Sequence, residues 1–538
     1  MTDQVGSHHT PGDTPSTGSM PVPPAIELIG INKHFGPVHA NRDVSLEVKR
    51  GSIHGIIGEN GAGKSTLMSI LYGFYQADSG EIRISGAVQQ IADSEDAIAH
   101  GIGMVHQHFM LVDPFTVLEN VMLGSEGGYR LAGGERKVRA ELERLERDYS
   151  LEVPIDAPVG ELPVGVQQRV EILKALFRGA DILILDEPTG VLTPQEADQL
   201  FRILDTLRDQ GKTIILITHK LREIMAITDA VTVMRRGAVV ANLATAETDT
   251  EQLAELMVGR KVLLRVDKQP PQPGETVLSV KDLEVQDRLG VRRVKGVSLD
   301  VRGGEIVGIA GVSGNGQSEL LAALTGITEP TSGTIDLCGE RVSEVPHLDA
   351  RMLRAIGLAH VPEDRSHEGL VTGFRAEENA ILGYHHLPTF NGKVLMNGVA
   401  IRRSTETYMK DFDVRPPNPL LKAANFSGGN QQKLIVAREM EQDPKLLVVG
   451  QPTRGVDIGA IEFIHRRLIG MRDAGKAVLL VSVELDEIRS LADRILVMFD
   501  GYIVGEVSAA EANEQTLGLM MAGVDPAEAR QRTRTEMG

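Results

Sequence analysis

The sequence predicts an α/β protein that contains two copies of one domain. Short apolar runs typical of buried strands alternate with segments of helical spacing along most of the 538 residues. A glycine-rich loop follows one of these runs at Gly58, and a related loop follows another run at Gly311. A chain of this length exceeds what one hydrophobic core usually serves. A duplicated, largely parallel sheet protein accounts for all three observations.

The first glycine-rich loop has the pattern of a phosphate-binding loop. Its sequence is GENGAGKST, and it follows the apolar run Ile53–Ile57. Glycines without a Cβ let successive N–H groups turn inward around phosphate oxygens, and the helix that follows directs its positive end to the same place. A lysine adds a positive charge, and a hydroxyl is offered to Mg²⁺. We therefore predict that the whole loop binds phosphate: Gly58, Glu59, Asn60, Gly61, Ala62, Gly63, Lys64, Ser65 and Thr66.

Composition narrows the possible functions. The net charge of -18 and the pI near 5.4 argue against nucleic acid as a partner, because a phosphate backbone requires a basic face. A single cysteine, Cys338, excludes an internal disulfide and a cysteine-rich zinc site. No apolar run reaches the 18 or so residues that a membrane-spanning helix needs. A role at a membrane would therefore be carried out from the aqueous side.

Composition shifts divide the chain into five parts. Residues 1–24 are rich in Pro, Ser, Thr and Gly and are predicted to be a disordered tail. A first domain over 25–265 and a second over 276–525 are separated by a short Pro-rich linker, 266–275. Residues 526–538 form a C-terminal tail in this division. The first domain also holds a charged segment with leucines at helical spacing, which predicts an inserted helix.

Two adjacent carboxylates follow a buried strand of the first domain. The run Ile182–Leu185 ends in Asp186 and Glu187. A carboxylate at the carboxyl end of a strand beside a phosphate loop is placed to hold Mg²⁺, which assigns Asp186 as a metal ligand. Glu187 is then predicted to polarise an attacking water as a general base. The alternative, an acidic turn after a strand, would be favoured for an isolated pair.

Two further strand ends carry candidate site residues. His219 follows the buried run Thr213–Thr218 and is a candidate sensor of the terminal phosphate, although a lone histidine there is more often a strand-end hydrogen-bonding residue. Gln107 follows the strand-like run Ile102–Val105 and is placed to reach the metal or the water.

Together these motifs resemble the ATP-binding cassette superfamily, and the resemblance covers residues 25 to about 524. It implies that each half has a mixed sheet with a RecA-like core and a helical subdomain, and that the cofactors are ATP and Mg²⁺. It also implies that Gln107 is the Q-loop residue, Asp186 and Glu187 the Walker B pair, and His219 the switch histidine. Phe35 falls where the family stacks an aromatic ring on adenine; an ordinary core phenylalanine is the alternative.

The resemblance extends to the family's signature sequence. Phe426–Asn430 matches it, and the resemblance implies that Ser427, Gly428 and Gly429 bind the terminal phosphate of ATP held by the opposite domain. The corresponding stretch of the first domain, Leu162–Val166, departs from the signature. Two such domains facing head to tail would form two composite ATP sites.

Only one of the two composite sites is complete. In the second, Gln317 stands in place of the phosphate lysine, and Gly450 and Gln451 replace the metal aspartate and the catalytic glutamate. Val483 replaces the histidine, and Pro163 replaces the serine of the facing signature. Each lost donor typically costs about 10²- to 10³-fold in rate, so negligible hydrolysis is predicted there.

Fused halves with this asymmetry resemble the ATP-binding subunits of bacterial importers for nucleosides and simple sugars. The stretches Gly103–Leu111, Thr218–Met225 and His360–Arg365 are more similar to the nucleoside branch. The resemblance implies a peripheral ATPase on the cytoplasmic face of the cell membrane, two transmembrane permease subunits, an extracytoplasmic substrate-binding protein and no nucleic acid. Phe109, Met110 and Leu111 either dock a permease helix or pack inside the domain.

Two alternatives remain at this stage. A monosaccharide of the ribose type is the alternative cargo, because an importer's cargo is selected by its permease and binding protein. A soluble translation factor with tandem cassettes is a more distant alternative. Such factors usually keep both catalytic sites and carry a long charged helical linker, whereas this linker is short and Pro-rich.

Overall fold

The computed structural model describes most of the chain. The described residues are 23–106, 109–124, 131–190, 192, 194–261, 268–312, 314–345 and 348–536.

Ten strands and eight helices make up the described part of the first domain. The strands are β1 Ile26–Phe35, β2 Val38–Val48, β3 Ile53–Ile57, β4 Ser79–Ile84, β5 Ala87–Gln89, β6 Ile102–Val105, β7 Ile182–Asp186, β8 Thr213–Ile217, β9 Ala230–Arg235 and β10 Ala238–Ala244. The helices are α1 Lys64–Leu71, α2 Ser94–Ala99, α3 Val117–Met122, α4 Leu131–Tyr149, α5 Val164–Phe177, α6 Pro194–Asp209, α7 Leu221–Ile227 and α8 Thr250–Val258.

The strands of the first domain form two sheets. The larger has the order β10-β9-β3-β8-β7-β6, and all its neighbours pair in parallel except β10 with β9. The smaller is antiparallel with the order β2-β1-β4-β5. Because β3, β7 and β8 lie side by side and parallel, the loops that follow them meet at one edge of the larger sheet.

The second domain repeats this architecture. Its strands are β11 Thr276–Gln286, β12 Arg292–Arg302, β13 Ile306–Ala310, β14 Ser332–Leu337, β15 Glu340–Arg341, β16 Leu358–Val361, β17 Leu446–Gly450, β18 Ala477–Ser482, β19 Arg494–Phe499 and β20 Tyr502–Ser508. The sheet orders, β16-β17-β18-β13-β19-β20 and β12-β11-β14-β15, match those of the first domain strand for strand. The predicted duplication and mixed α/β class are therefore confirmed.

The helices of the second domain follow the same plan. They are α9 Gln317–Leu324, α10 Ala350–Ile356, α11 Ala376–Asn379, α12 Gly398–Asp411, α13 Gly428–Met440, α14 Ile458–Asp473, α15 Leu485–Leu491, α16 Glu514–Met521 and α17 Pro526–Glu536. Helix α17 occupies the segment that we assigned to a C-terminal tail, and its Ala529 is fully buried. Within the described ranges, none of the helices has both the length and the apolar character needed to cross a membrane.

The central strands are apolar because they are buried on both faces. Every residue of β3, β8 and β13 is buried. The antiparallel strands β1 and β2 extend beyond the short apolar runs seen in the sequence, because one face of their sheet is partly exposed and polar residues alternate with buried ones.

The linker packs onto the second domain. Lys268 Nζ donates to the carbonyl oxygen of Leu491 at 2.9 Å and pairs with Asp493 at 3.2 Å. Arg472, which is 1% exposed, also pairs with Asp493, at 3.0 Å, and donates to the Gln269 carbonyl oxygen. A buried ion-pair cluster therefore fixes the linker to the domain that follows it.

Candidate active site

The loop after β3 has the backbone that close contact with phosphate requires. Gly61 and Gly63 have φ angles of 81° and 98°, a region that favours glycine. A Cβ added at Gly63 would lie 2.4 Å from the carbonyl oxygen of Ala40. The glycine pattern of the sequence is therefore a direct requirement of this turn into α1.

The Lys64 side chain folds back over the loop. Its Nζ donates hydrogen bonds to the carbonyl oxygens of Gly58 at 2.7 Å and Glu59 at 3.2 Å. Burial lowers the pKa of Lys64, against the opposing effect of the Glu187 and Asp186 charges. The lysine and the two carboxylates that follow β7 thus belong to one electrostatic group.

Asp186, the last residue of β7, is joined to the first turn of α1. Its side chain shares a hydrogen bond with Ser65. Burial raises the pKa of Asp186, and the charge of neighbouring Glu187 raises it further. Magnesium is usually held by one or two carboxylates together with phosphate oxygens. A hydroxyl and a carboxylate paired at the mouth of a phosphate loop suit that ion.

Glu187 is held by His219. The Oε1 atom of Glu187 lies 2.8 Å from Nδ1 of His219. Glu187 has a φ of 48°, and its N–H donates to the carbonyl oxygen of Ile217 at 2.9 Å. Burial raises the pKa of Glu187, but the hydrogen bond and charge of His219 and the charge of Lys64 outweigh it, so the pKa is lowered overall. The carboxylate is thus kept ionised and oriented.

Two further residues were predicted for this site. Gln107 is outside the described residues. Phe35, at the end of β1, is 41% exposed, so it is not an ordinary core residue. Its ring meets Tyr75 edge-on with the centroids 5.1 Å apart, and Lys33 Nζ lies 5.5 Å from its centroid. An exposed ring supported in this way is free to stack on a base.

The signature residues begin α13. Ser427 is the N-cap residue, and its hydroxyl accepts a hydrogen bond from Asn430 at 2.8 Å. A Cβ added at Gly428 would lie 2.7 Å from a guanidinium nitrogen of Arg365. At Gly429 it would lie 2.8 Å from a carboxylate oxygen of Asp457. A larger residue at either glycine would therefore displace the Arg365 or the Asp457 side chain.

The phosphate loop of the first domain meets the signature region of the second. Asn60 Nδ2 donates to the carbonyl oxygen of Gly455 at 3.1 Å, and a Cβ added at Gly428 would lie 3.2 Å from that same oxygen. The backbone N–H of Gly459 also donates to Glu59. The loop and the signature thus lie on either side of Gly455, as a composite site requires.

Other contacts support this juxtaposition. Ile458, the first residue of α14 in the second domain, packs among the core residues of the first domain and is 9% exposed. Ion pairs also cross between the domains: Lys220 with Glu484, Arg222 with Glu514, and Arg260 with Glu462. Exposed pairs contribute only about 0–1 kcal/mol each, whereas burial of one large aliphatic side chain contributes about 1.5–3 kcal/mol.

A comparison with protein families identifies the family of this chain. Residues 41–190 and 294–454 each match the family described as ABC transporter. The chain belongs to the ABC transporter family. This result confirms the predicted class, a transport ATPase with two nucleotide-binding domains.

Full-length relatives in this family are import ATP-binding proteins. The chain is 47% identical to the nucleoside import ATP-binding protein NupA of Lactococcus lactis, over 93% of this chain and 98% of NupA. It is 47% identical to the guanosine import ATP-binding protein NupO of Bacillus subtilis, over 94% of this chain and 98% of NupO. The glucose import ATP-binding protein TsgD13 of Haloferax volcanii is 43% identical, over 93% of this chain and 96% of TsgD13.

The second pocket of this ABC protein lacks counterparts of the residues predicted to be catalytic in the first. Gln317 begins α9, and neither Gly450 nor Gln451 supplies a carboxylate after β17. The N–H of Val483 donates to Gln451 Oε1 at 3.3 Å, where the first domain has its histidine–glutamate pair. Pro163, the N-cap residue of the facing helix α5, makes no side-chain cap.

A cavity of about 170 Å³ opens beside β6 of this ABC domain, and His106, which follows that strand, lines it. Met110 lines it and is 60% exposed, whereas Leu111 packs against a small apolar cluster inside the domain. Phe109 is half-buried. Met110 is therefore exposed, whereas Leu111 packs inside the domain. Other residues that line the cavity are Tyr72, Phe74, His106, Lys174 and Arg178.

Sequence reasoning missed two contacts. It assigned Asn60 to phosphate binding but did not predict the hydrogen bond from Asn60 to Gly455. It also gave no role to Arg365, whose Nη1 donates to the Arg454 carbonyl oxygen at 2.7 Å beside Gly428. No local signal could have shown either contact, because the partners lie far apart in the sequence.

Proposed function

We propose that this chain is the ATP-hydrolysing subunit that powers nucleoside import through partner permeases, with one competent composite ATP site. The Glu187–His219 pair beside Lys64, facing the signature of the second domain across Gly455, carries the proposal. Glu187 supplies a base for one pocket, Lys64 supplies a cation that binds phosphate, and the signature forms the opposite side of that pocket. The other pocket lacks both the base and the lysine.

The chemistry follows from these positions. Glu187, kept ionised by His219, accepts a proton from the attacking water and aims that water at the terminal phosphate. Lys64 and the loop N–H groups stabilise the negative charge that develops on the phosphate oxygens. Mg²⁺, held by Ser65, Asp186 and Gln107, supplies further charge neutralisation when it is bound.

Coupling follows from the composite geometry. The terminal phosphate of ATP in the first loop would also contact Ser427, Gly428 and Gly429 of the second domain. ATP therefore favours the closed pair of domains only through its extra contacts in that state. Hydrolysis removes those contacts and lets the domains separate, which moves the attached permeases.

We assign the partners as two transmembrane permeases and an extracytoplasmic substrate-binding protein, with this chain peripheral at the cytoplasmic face of the membrane. Exposed Met110 lies beside a cavity lined by both apolar and charged residues, which fits a short amphipathic permease helix. Substituting Met110 by Glu is expected to release the chain from permease-containing membranes without changing its folding.

The cargo is assigned from relatives. Proteins named for nucleoside and guanosine import are 47% identical to this chain, ahead of a glucose import protein at 43%. A nucleoside is therefore favoured over a monosaccharide. The choice between these two cargoes is tested by reconstituting the complex in liposomes with its binding protein and measuring ATP hydrolysis. Nucleosides should stimulate hydrolysis; stimulation by monosaccharides alone would support the alternative cargo.

The same reconstituted system tests the single competent site. Lys64→Ala is expected to lower hydrolysis at least about 100-fold, because a charged donor to the phosphates is lost. Two equally competent sites would instead leave roughly half the activity, since each would work independently. Residual activity near half would refute the proposal.

A further inference from the structure

The guanidinium of Arg365 lies between two segments of the second domain that face the first pocket. Its Nη1 donates to the carbonyl oxygen of Arg454 at 2.7 Å. Its Nη2 would lie 2.7 Å from a Cβ added at Gly428, and both Nη atoms would lie 3.4 Å from a Cβ added at Gly455. The two glycines therefore leave room for the guanidinium. Arg365 thus joins the start of the signature helix α13 to the loop that Asn60 contacts.

The turn that carries Arg365, residues 364–369, is fixed to α13 at a second point. The Asp364 carboxylate closes the turn by accepting hydrogen bonds from two of its backbone N–H groups, at 2.8 and 3.0 Å. At the far end, the carbonyl oxygen of Gly369 accepts a hydrogen bond from Arg438 of α13 at 2.8 Å. The turn therefore holds the guanidinium at a fixed place beside the start of that helix.

The burial of this group costs free energy. The Nε atom of Arg365 is buried and makes no hydrogen bond with any residue that the structure describes. Burial lowers the pKa of Arg365, although the charge of Asp364 opposes this effect. An unsatisfied donor on a buried charged group destabilises a fold. Fold stability alone therefore does not explain why an arginine lies here.

The first domain has different residues at the corresponding positions. Phe109 lies four residues after β6, as the arginine lies four residues after β16. Val164 begins α5, as Gly428 begins α13. In the sequence Val191 lies five residues after β7, as Gly455 lies five residues after β17. The arginine and the two glycines thus occur together in the domain that carries the complete signature sequence, and not in the other.

We propose that Arg365 is a positioning residue of the composite site that the first phosphate loop and the signature form. It holds the loop at Arg454 and Gly455 against Gly428, and so sets where the signature meets the first pocket. The signature is expected to contact only the terminal phosphate, which ADP lacks. Arg365 should therefore affect the use of ATP but not the binding of ADP. This inference rests on the proposed function.

Replacing Arg365 by Met tests this role in the reconstituted complex, because methionine keeps an unbranched chain but loses the donors. We expect kcat/KM for ATP to fall at least about tenfold and the inhibition constant of ADP to change less than about twofold, because small misplacements of a binding group are costly only where it acts. An unchanged kcat/KM would overturn the proposal. An equal loss of ADP affinity would also overturn it, because it would indicate a general structural role.

Two further variants separate the hydrogen bond from other effects. Arg365→Lys keeps a charged donor for the Arg454 carbonyl oxygen and should recover part of kcat/KM; a lysine variant no better than the methionine variant would overturn the role of that bond. Arg403→Met, at an exposed arginine of α12, is the control and should match the unsubstituted chain. Melting temperatures check that each variant folds. Failure of the proposed function would appear instead as near-half activity in Lys64→Ala, whatever the Arg365 variants do.

Discussion

Replacing Glu187 by Gln tests the chemistry of the first pocket most directly. The change keeps the size of the side chain but removes the proton acceptor beside His219. A positioned general base contributes about 10²- to 10⁴-fold in rate. At 1.36 kcal/mol per tenfold change, the barrier should rise by about 2.7 to 5.4 kcal/mol. We therefore expect hydrolysis to fall by that factor while ATP binding is retained.

The duplicated domain shows that an amide fits this position. Gln451 has a φ of 46°, close to the 48° of Glu187, and its N–H donates to the Val481 carbonyl oxygen at 2.8 Å. The substitution therefore introduces no new backbone strain. We expect the free energy of unfolding to change by no more than about 0.5 kcal/mol, which separates a chemical effect from a folding defect.

The assay measures steady-state ATP hydrolysis by the reconstituted complex and identifies the nucleotide that stays bound. The variant should hold ATP rather than ADP, because the step that converts one to the other is slow. Glu247→Gln, a change of the same charge at an exposed position after β10, is the matched control and should keep full activity. Hydrolysis by Glu187→Gln at the unsubstituted rate would refute the assignment of the base.

Two further predictions concern pH and stability. His219→Ala removes the hydrogen bond that lowers the pKa of Glu187 and leaves the burial that raises it, so the residual rate should begin to fall at a higher pH on acidification. A pH–rate profile checks this, and an unchanged acid limb would contradict it. Asp493→Ala removes a buried carboxylate from Arg472 and Lys268 and leaves Arg472 paired with Asp473, so unfolding in urea should show a loss of about 1.5–3 kcal/mol. Asp156→Ala, in an exposed pair with Arg139, should cost no more than about 1 kcal/mol.

Much of the fold was predictable because its signals are local. Strands buried on both faces require continuous apolar runs, and the sequence around β3, β7 and β8 has them. The lengths of the antiparallel strands were underestimated from the apolar runs, because β1 and β2 continue through polar residues on the more exposed face of their sheet. The assigned C-terminal tail contains α17, whose docking depends on tertiary contact.

The sequence by itself determined the phosphate loop and the Asp186–Glu187 pair, because consecutive residues at a strand end fix both geometry and chemistry. It also showed which of the predicted catalytic residues have no counterpart in the second domain. Only the tertiary structure showed what lies in their place. Glu363 accepts a hydrogen bond from Ser318 and fills the space beside Gly450, and Asn60 donates to Gly455, because strand pairing and domain packing join residues that no sequence spacing connects.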